Sequence, residues 1–534
     1  MFGSGSSLSN FAPEDILAQQ KLSRQITNFF IDRSFEEVDV PTIVDLSLVE
    51  KANSKFSQNV FKVFDETGKT MALRTEITQP LAKMVAGYSS KINFPVRYFY
   101  DANVFRFKGS STDFSKELKQ VGVEIFGEET VASDREVLQL LVDTVEHLKI
   151  KNSKITITDA KIWHKIFEIY GDPLLSFEQE LSALMTDKSF KSVLVKNHTL
   201  SLAAQLYKAL LENNIVDFKR LCQGHKDLEI FSKSNSISDF EKILALDLSD
   251  LKNVESLATN IHFDPLQCPD LKLYTGLHFA LYAHGSGSML ALGGRYDNLC
   301  KQFGEEISAI GFAFYIKELT ELKTNATEKK VLKIAIAKGG LFEKAQEILQ
   351  EKSFNFAEDH GRKLILNVSS KLNAPFDHVE ILLVRGHDVP IYVEHGAADL
   401  GIVGLDVVLD SKVSCALLQD LDYGHCRLSV CAKKSLYGKL KDLPKQVRVA
   451  TTFPNLAKEF FDLKSINSEI INLYGSVELG PLTELSDVIV DLVASGKTLE
   501  ENNLEELESF LDCSAYLIAN KASFKLHTKE FLEF

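Results

Sequence analysis

Among the seven cysteines of the 534-residue chain there is no C-x-x-C pair. That excludes a zinc knot and argues against a disulfide framework. No apolar run approaches the roughly 20 residues that cross a bilayer as a helix. A basic excess is missing too: 74 acidic residues outweigh 60 basic ones, for a net charge of −14. Broad nonspecific binding to nucleic acid needs a basic face, so no nucleic acid is expected as partner. Small anions are not excluded, because a few focused cations hold a phosphate inside an acidic protein. The opening "MFGSGSSLSNFAPED" lacks the basic-then-apolar pattern of a secretory signal. The expected compartment is the cytoplasm, with no membrane partner. There is no repeat and no low-complexity tract.

What is present is ordinary globular composition, 45% hydrophobic and 25% charged. The length favours several domains. "PEDILAQQKLSRQITNFFIDRSF" reads as a helix, with Pro13 in its first turn, Glu14 and Asp15 after it, and Ile16, Leu17, Ile26, Phe29 and Phe30 on its apolar face. Strands are expected at "VRYFYDANVFRF" and "QVGVEIFG". From about 160 to 260 the pattern is helical. Residues 321–330 are polar and end in lysines, which suggests a linker. Beyond it, short strands alternate with short helices, the texture of an α/β domain with largely parallel pairing. The expected division is 1–320, with a helical subdomain at about 160–260, a linker at 321–330, and a second domain at 331–534.

Near the end stands "SDVIVDLVASGKTL", Ser486 to Leu499. Asp487 and Asp491 are four residues apart, a spacing that on a helix turns both toward one ribose. Ser495, Gly496, Lys497 and Thr498 offer backbone N–H groups, two hydroxyls and a cation to a phosphate. An amphipathic helix ending in glycine has the same appearance. A nucleotide-hydrolase loop is disfavoured, because its first glycine would fall at position 491, which is Asp.

In the first part stand, in order, "VDVPTIVD", "ALRTEITQP", "RYFYDANVFRF" with "KQVGVEIFG", and "LALGGRYDNL". On these stretches the first part resembles histidyl-tRNA synthetase. The resemblance implies an α+β class II synthetase-like fold on an antiparallel sheet, and a dimer. The departures fall on the catalytic cations. Lys108 replaces an acid, and Pro269 stands at the arginine of "RGLDYYTG". Glu318 stands at the arginine of the last motif. Losing one group that stabilises developing charge typically costs about 10²–10³ in rate. The residues matching the family's amino-acid pocket remain: Glu76, Arg106, Gln120, Glu124 and Tyr274. Carboxylates and an amide suit an ammonium and an imidazole N–H. In a strand, Gln120 and Glu124 share a face.

Residues 331–534 resemble the short form of ATP phosphoribosyltransferase. The matches are "KIAIAKGGL", "RGHDVPIYVEHGAADLGIVGLDVV", "CRLSVCAKK", "VRVATTFPNLA" and "GSVELGPLTELSDVIVDLVASGKTL". The resemblance implies a two-lobed, periplasmic-binding-protein-like α/β domain. It also implies ATP and phosphoribosyl pyrophosphate as substrates, with Mg²⁺ bridging the pyrophosphate and no metal site made of protein ligands alone. The residues assigned are Lys338, Gly339, Arg385 and Arg427 for ATP, and Glu478, Asp487, Asp491, Ser495, Gly496, Lys497 and Thr498 for phosphoribosyl pyrophosphate. Lys338, Arg385, Asp487 and Asp491 carry the catalysis. Gly340 replaces the family's usual arginine, Thr452 a lysine, and Ser495 a threonine.

Short transferases of this family work with a synthetase-like regulatory subunit, and here both stand on one chain. The expectation is the first enzyme of histidine biosynthesis, inhibited by histidine through its first half. It would be a homo-oligomer, a dimer of synthetase-like halves or a tetramer. The alternatives are a working histidyl-tRNA synthetase with an accessory domain, a solute-binding protein, or a non-catalytic ligand-binding regulator.

Overall fold

The computed structural model describes residues 12–51, 60–106, 117–128, 131–177, 179–181, 200–324, 331–352, 354–356, 363–370, 376, 378–434 and 438–533. Lys108 and residues 325–330 lie outside the described residues. The chain divides into two compact units. One comprises 1–177, 201–211 and 217–328; the other comprises 178–200, 212–216 and 329–534.

The first unit is built on an eight-stranded sheet. Its strands lie in the order Glu36–Glu37, Val96–Phe105, Glu117–Phe126, Ala309–Tyr315, Ala291–Arg295, Leu277–Ala283, Ser153–Asp159, Ile261–Phe263. The inner pairs are antiparallel and the two outermost parallel. Strand alternation separates two faces. Phe99, Val123, Phe312 and Phe279 line up across the strands, with Phe30 of the helix Pro13–Ile31 against Phe99 and Phe312. That face is the core. The opposite face carries Gly122, Glu124, Gly311 and Gly294.

The first helix begins at Pro13 as expected, with Glu14 and Asp15 in its first turn. Leu17 is 51% exposed, not part of the buried stripe. The stripe is Leu22, Ile26, Phe29 and Phe30, at i, i+4, i+7 and i+8, and Leu17 lies five residues before Leu22, off that side of a 3.6-residue turn. Between 160 and 260 stand the helices Ala160–Tyr170, Leu202–Leu211, Ile215–Cys222, Ile230–Lys233, Ile237–Leu244 and Ser249–Glu255. Among them Phe231 packs edge to ring with Phe240 and at a tilt against Trp163. The helix Ile316–Thr324 takes up the first four residues of the segment read as linker.

The second unit has two lobes. One sheet runs Phe354–Asn355, Ile365–Ser370, His378–Val384, Val331–Ala337, Leu400–Gly404, Ala515–Ala519, Ala416–Asp420. The other runs Asn467–Asn472, Gln446–Thr451, Val488–Val493, Cys426–Lys433, Leu504–Cys513. The chain passes between lobes twice, after Asp420 and after Cys513. Strands 331–337, 378–384 and 400–404 are parallel, so their C-terminal ends open on one edge. That edge is where α/β sheets bind ligands.

Candidate functional sites

In the first unit, Glu124 lies in one cross-strand row with Gly311, Gly294 and His278. The two glycines are required by contact. A Cβ on Gly311 would overlap the Glu124 carboxylate, and one on Gly294 would press on the Tyr274 ring. Gly122 likewise leaves room for the Tyr100 phenol. The glycines form a trough, and the polar side chains lie along it. Glu124 accepts from Thr78 Oγ1 at 3.0 Å and from the Tyr296 hydroxyl. Tyr296 is held in place by its neighbour Arg295, which bonds Asp134 at 2.6 Å and Ser133 at 2.6 Å. This explains the Gly-Gly-Arg-Tyr-Asp stretch: glycine for room, arginine as anchor, tyrosine as partner of the carboxylate.

Glu76 is 7% exposed, and its Oε1 has no hydrogen-bond partner among the described residues. Burial pushes its carboxyl up to about 7, against the pull of Arg106. Burial also pushes Glu124 up to about 8, against its bonds from Tyr296 and Thr78. The two buried carboxyls lie within each other's field, with Tyr100 and Tyr274 close to both, a donor set whose chemistry suits a cation. Arg106 donates to the Thr75 carbonyl at 2.8 Å and so stands beside Glu76. Gln120 is buried on the same face as Glu124, opposite Ala102 and Tyr315. The structure thus gathers Glu76, Arg106, Glu124 and Tyr274. Thr78, Tyr100 and Tyr296 were missed; no spacing rule marks them.

In the second unit, the segment read as possibly helical is a strand, Val488–Val493, followed by a loop. Five of its six positions are apolar, three of them β-branched before Asp491, which fits a buried strand, and the sheet supplies the ladder. The correction separates the two acids. Residues four apart in a strand stand roughly 13 Å apart. Asp487 is turned to Arg448, which donates to it from Nη2 at 2.8 Å and from its backbone N–H at 2.8 Å. Asp487 therefore joins neighbouring strands and does not share a ribose with Asp491.

Asp491 lies at the loop end of the strand. Burial raises its carboxyl, and the charge of Glu478 raises it further. The exposed loop follows. Gly496 has φ +79°, a backbone state that a side chain would strain, and the short helix Lys497–Glu501 begins next to it. Ser495, Lys497 and Thr498 are exposed. Arg427 is held by Glu506 in two hydrogen bonds of 2.8 and 2.6 Å, and it donates to the Ala494 carbonyl at 3.3 Å. It grips the root of the loop.

The other lobe presents Lys338 and Arg385 just beyond two adjacent parallel strands. The Lys338 N–H bonds the Val384 carbonyl at 3.0 Å, which sets the two residues on neighbouring strand ends, and both are exposed. Gly339 turns the chain at φ +95° into the helix Gly340–Glu351. Reasoning from sequence missed Asp406, which burial raises to about 6 and the nearby His387 pulls down. It also missed the bridge between lobes: Asp410 accepts the N–H groups of Asn455 and Leu456, both at 2.9 Å, at the start of the helix Pro454–Leu463. The only local signal was "GLDVV" directly after a strand.

Comparison with known proteins places both units. A histidyl-tRNA synthetase family model matches residues 7–319, and an ATP phosphoribosyltransferase family model matches residues 385–534. The ATP phosphoribosyltransferase of a Picosynechococcus species is 43% identical over 204 residues, covering 38% of this chain and 96% of that protein. That of a Synechococcus species is 44% identical over 207 residues, covering 38% and 88%. The solved structure of an ATP phosphoribosyltransferase regulatory subunit/histidyl-tRNA synthetase from Bacillus halodurans matches in fold, with a TM-score of 0.50 at 21% identity, over 66% of this chain and 90% of that one. The chain therefore belongs to the histidyl-tRNA synthetase family through residues 7–319 and to the ATP phosphoribosyltransferase family, a family of pentosyltransferases, through its C-terminal part.

Proposed function

We propose that the C-terminal unit transfers the phosphoribosyl group of phosphoribosyl pyrophosphate to N1 of ATP, and that the N-terminal unit binds free histidine and inhibits this transfer. The observation that carries the first part is the loop Ser495–Thr498. It is exposed, turned by Gly496 and anchored by Arg427, in a chain 43% identical to a named transferase over 204 residues. The lone pair of N1 attacks C1 of the ribose, and the bond from C1 to the pyrophosphate oxygen breaks with its electrons. The nucleophile needs no activation, so the enzyme's task is alignment and charge. The loop's N–H groups and hydroxyls receive the 5′-phosphate. Asp491 accepts from the ribose hydroxyls. Lys338 and Arg385 face the leaving pyrophosphate and the ATP phosphates. Arg427 serves by holding the loop.

Mg²⁺ fits this arrangement. The charge of Glu478 adds to burial in raising the proton affinity of Asp491, a strain that a cation relieves. These two carboxylates would hold it, with the substrate's oxygens and waters completing its shell. The ion supplies neutralising charge to the departing pyrophosphate.

The observation behind the second part is the buried Glu76 carboxyl, whose Oε1 has no hydrogen-bond partner among the described residues, near Glu124 and Arg106. The ammonium and imidazole of histidine fit the two acids, and its carboxylate fits Arg106. Such coupling between sites is typically about 1–3 kcal/mol, or roughly 5- to 150-fold. Ile43 and Phe64, exposed on the three-stranded sheet of Ile43–Asp45, Thr70–Leu73 and Lys62–Phe64, support a homo-oligomer. A cytoplasmic location goes with this chemistry; no helix among the described residues is long and apolar enough to cross a membrane. The test is pyrophosphate release that requires both ATP and phosphoribosyl pyrophosphate. Release from either substrate alone would refute the transfer.

A further inference from the structure

All seven cysteines are free thiols, and two of them are direct partners. Cys426 opens the strand Cys426–Lys433, and Cys513 closes the strand Leu504–Cys513 opposite it. Facing residues of an antiparallel pair have Cα atoms about 4.5–5.5 Å apart. That lies within the roughly 4.4–6.8 Å that a disulfide spans. Each thiol acts on the other, drawing Cys426 below its ordinary value and driving Cys513 up, while Cys513 Sγ donates to the Leu511 carbonyl at 3.8 Å. Cys426 is half-buried and Cys513 is 4% exposed. A reachable thiol that ionises readily, with a buried thiol behind it, is the arrangement of an attacking and a resolving cysteine.

The position gives the pair its consequence. Both strand ends stand where the chain passes between lobes. Leu421 donates to the Ala515 carbonyl, Ala515 donates to the Tyr423 carbonyl, and Ser514 Oγ bonds Asp420 at 2.7 Å, so the two passing segments form one seam. The seam is therefore the joint about which the lobes would open and close on substrates.

We propose that Cys426 and Cys513 form a reversible disulfide across this seam, which stiffens the joint and slows the transferase. The oxidant is a small-molecule disulfide such as oxidised glutathione. The Cys426 thiolate attacks one of its sulfurs and expels a thiolate. The Cys513 thiolate then attacks Cys426 Sγ in the mixed disulfide and expels the second. Two protein thiols and one disulfide give one protein disulfide and two small thiols. A joint that must flex during turnover loses rate when cross-linked, while the loop and cations that bind substrate stay in place.

The effect on turnover presupposes the transferase reading, so the reduced full-length protein is assayed first for pyrophosphate release. Absence of release there would refute that reading alone. The protein is then equilibrated with oxidised glutathione and mapped by mass spectrometry under non-reducing conditions. The expected result is a peptide pair linked through Cys426 and Cys513, two fewer titratable thiols, and turnover lowered at least fivefold with KM within twofold, all restored by dithiothreitol. Reduced Cys426→Ser keeps turnover within twofold and loses the response to oxidised glutathione. Glutathione retained on Cys426 with Cys513 free, a bond between two chains, or the linked peptide with unchanged turnover each overturns the proposal. Cys426→Ser serves as the variant because Cys426 is half-buried, and the mapping on unaltered protein is independent of any variant's folding.

Discussion

Glu124→Gln tests the histidine pocket most sharply. The substitution keeps the side chain's size above Gly311, where a larger group has no room. Thr78 and Tyr296 donate to different oxygens of Glu124, so the amide keeps an acceptor for one hydroxyl and presents an N–H to the other, whose oxygen can accept it. It removes the charge and one acceptor. A hydrogen bond to a charged group contributes about 1.5–3 kcal/mol. Against this, Glu124 ionises near 8 because it is buried. At pH 7, releasing its proton costs about 1.4 kcal/mol; at pH 8.5 almost nothing remains of that cost. Histidine should therefore bind the unaltered protein roughly tenfold more tightly at pH 8.5 than at pH 7. The variant should be weaker by up to about 15-fold at pH 7 and by about 10- to 150-fold at pH 8.5. Titration calorimetry in two buffers of different ionisation enthalpy should also show proton release near neutral pH, which Glu124→Gln reduces. Stability carries the same signature with a definite sign. An unfolded glutamate ionises near 4.3, so between about 4.5 and 8 the folded chain holds the extra proton, and stability falls as pH rises through that range. Glu124→Gln should flatten that fall. Affinity that is independent of pH, or a variant that binds histidine like the unaltered protein, would refute the assignment.

Thr498→Ala should raise KM for phosphoribosyl pyrophosphate more than KM for ATP; equal effects would count against placing the 5′-phosphate on the loop. Gly340 has open space where a Cβ would stand and no left-handed backbone, so Gly340→Arg restores the family's usual cation without a clash. Steady-state kinetics should show KM for ATP lowered a few-fold, and an unchanged or higher KM would argue against ATP phosphates at that turn. The full-length chain should form no histidyl adenylate from histidine and ATP, because arginine is replaced by Pro269 and Glu318; pyrophosphate exchange dependent on histidine would contradict this.

Much of the architecture was written locally. The strand 117–126 alternates between core and pocket, so pairing Gln120 with Glu124 on one face needed only its period. The loop at Ser495–Thr498 was legible because a glycine between polar residues marks a left-handed turn. The acids before it were not. "VIVDLV" is a short apolar run whose period does not separate strand from helix, and only the ladder to 426–433 and 446–451 decides it. Asp487 looked like a ligand of ribose because nothing local announces Arg448, thirty-nine residues away. Arg427 looked like a free cation for the same reason, since Glu506 meets it only across a sheet. The trough of Gly122, Gly294 and Gly311 joins three distant strands, and Tyr100, Tyr296 and Thr78 acquire their roles only there. Asp410 is of the same kind, a helix residue whose partners belong to the other lobe.

The most direct measurement of the central claim is pyrophosphate release by the full-length chain, with saturating ATP and phosphoribosyl pyrophosphate, titrated with free histidine at pH 8.5. The account predicts turnover that histidine suppresses, with the half-inhibiting concentration raised at least tenfold by Glu124→Gln and uninhibited turnover within a few-fold of the original, on the scale of ordinary coupling energies. Turnover indifferent to histidine, or inhibition that Glu124→Gln leaves untouched, would contradict the proposal that one half of the chain senses histidine on behalf of the other.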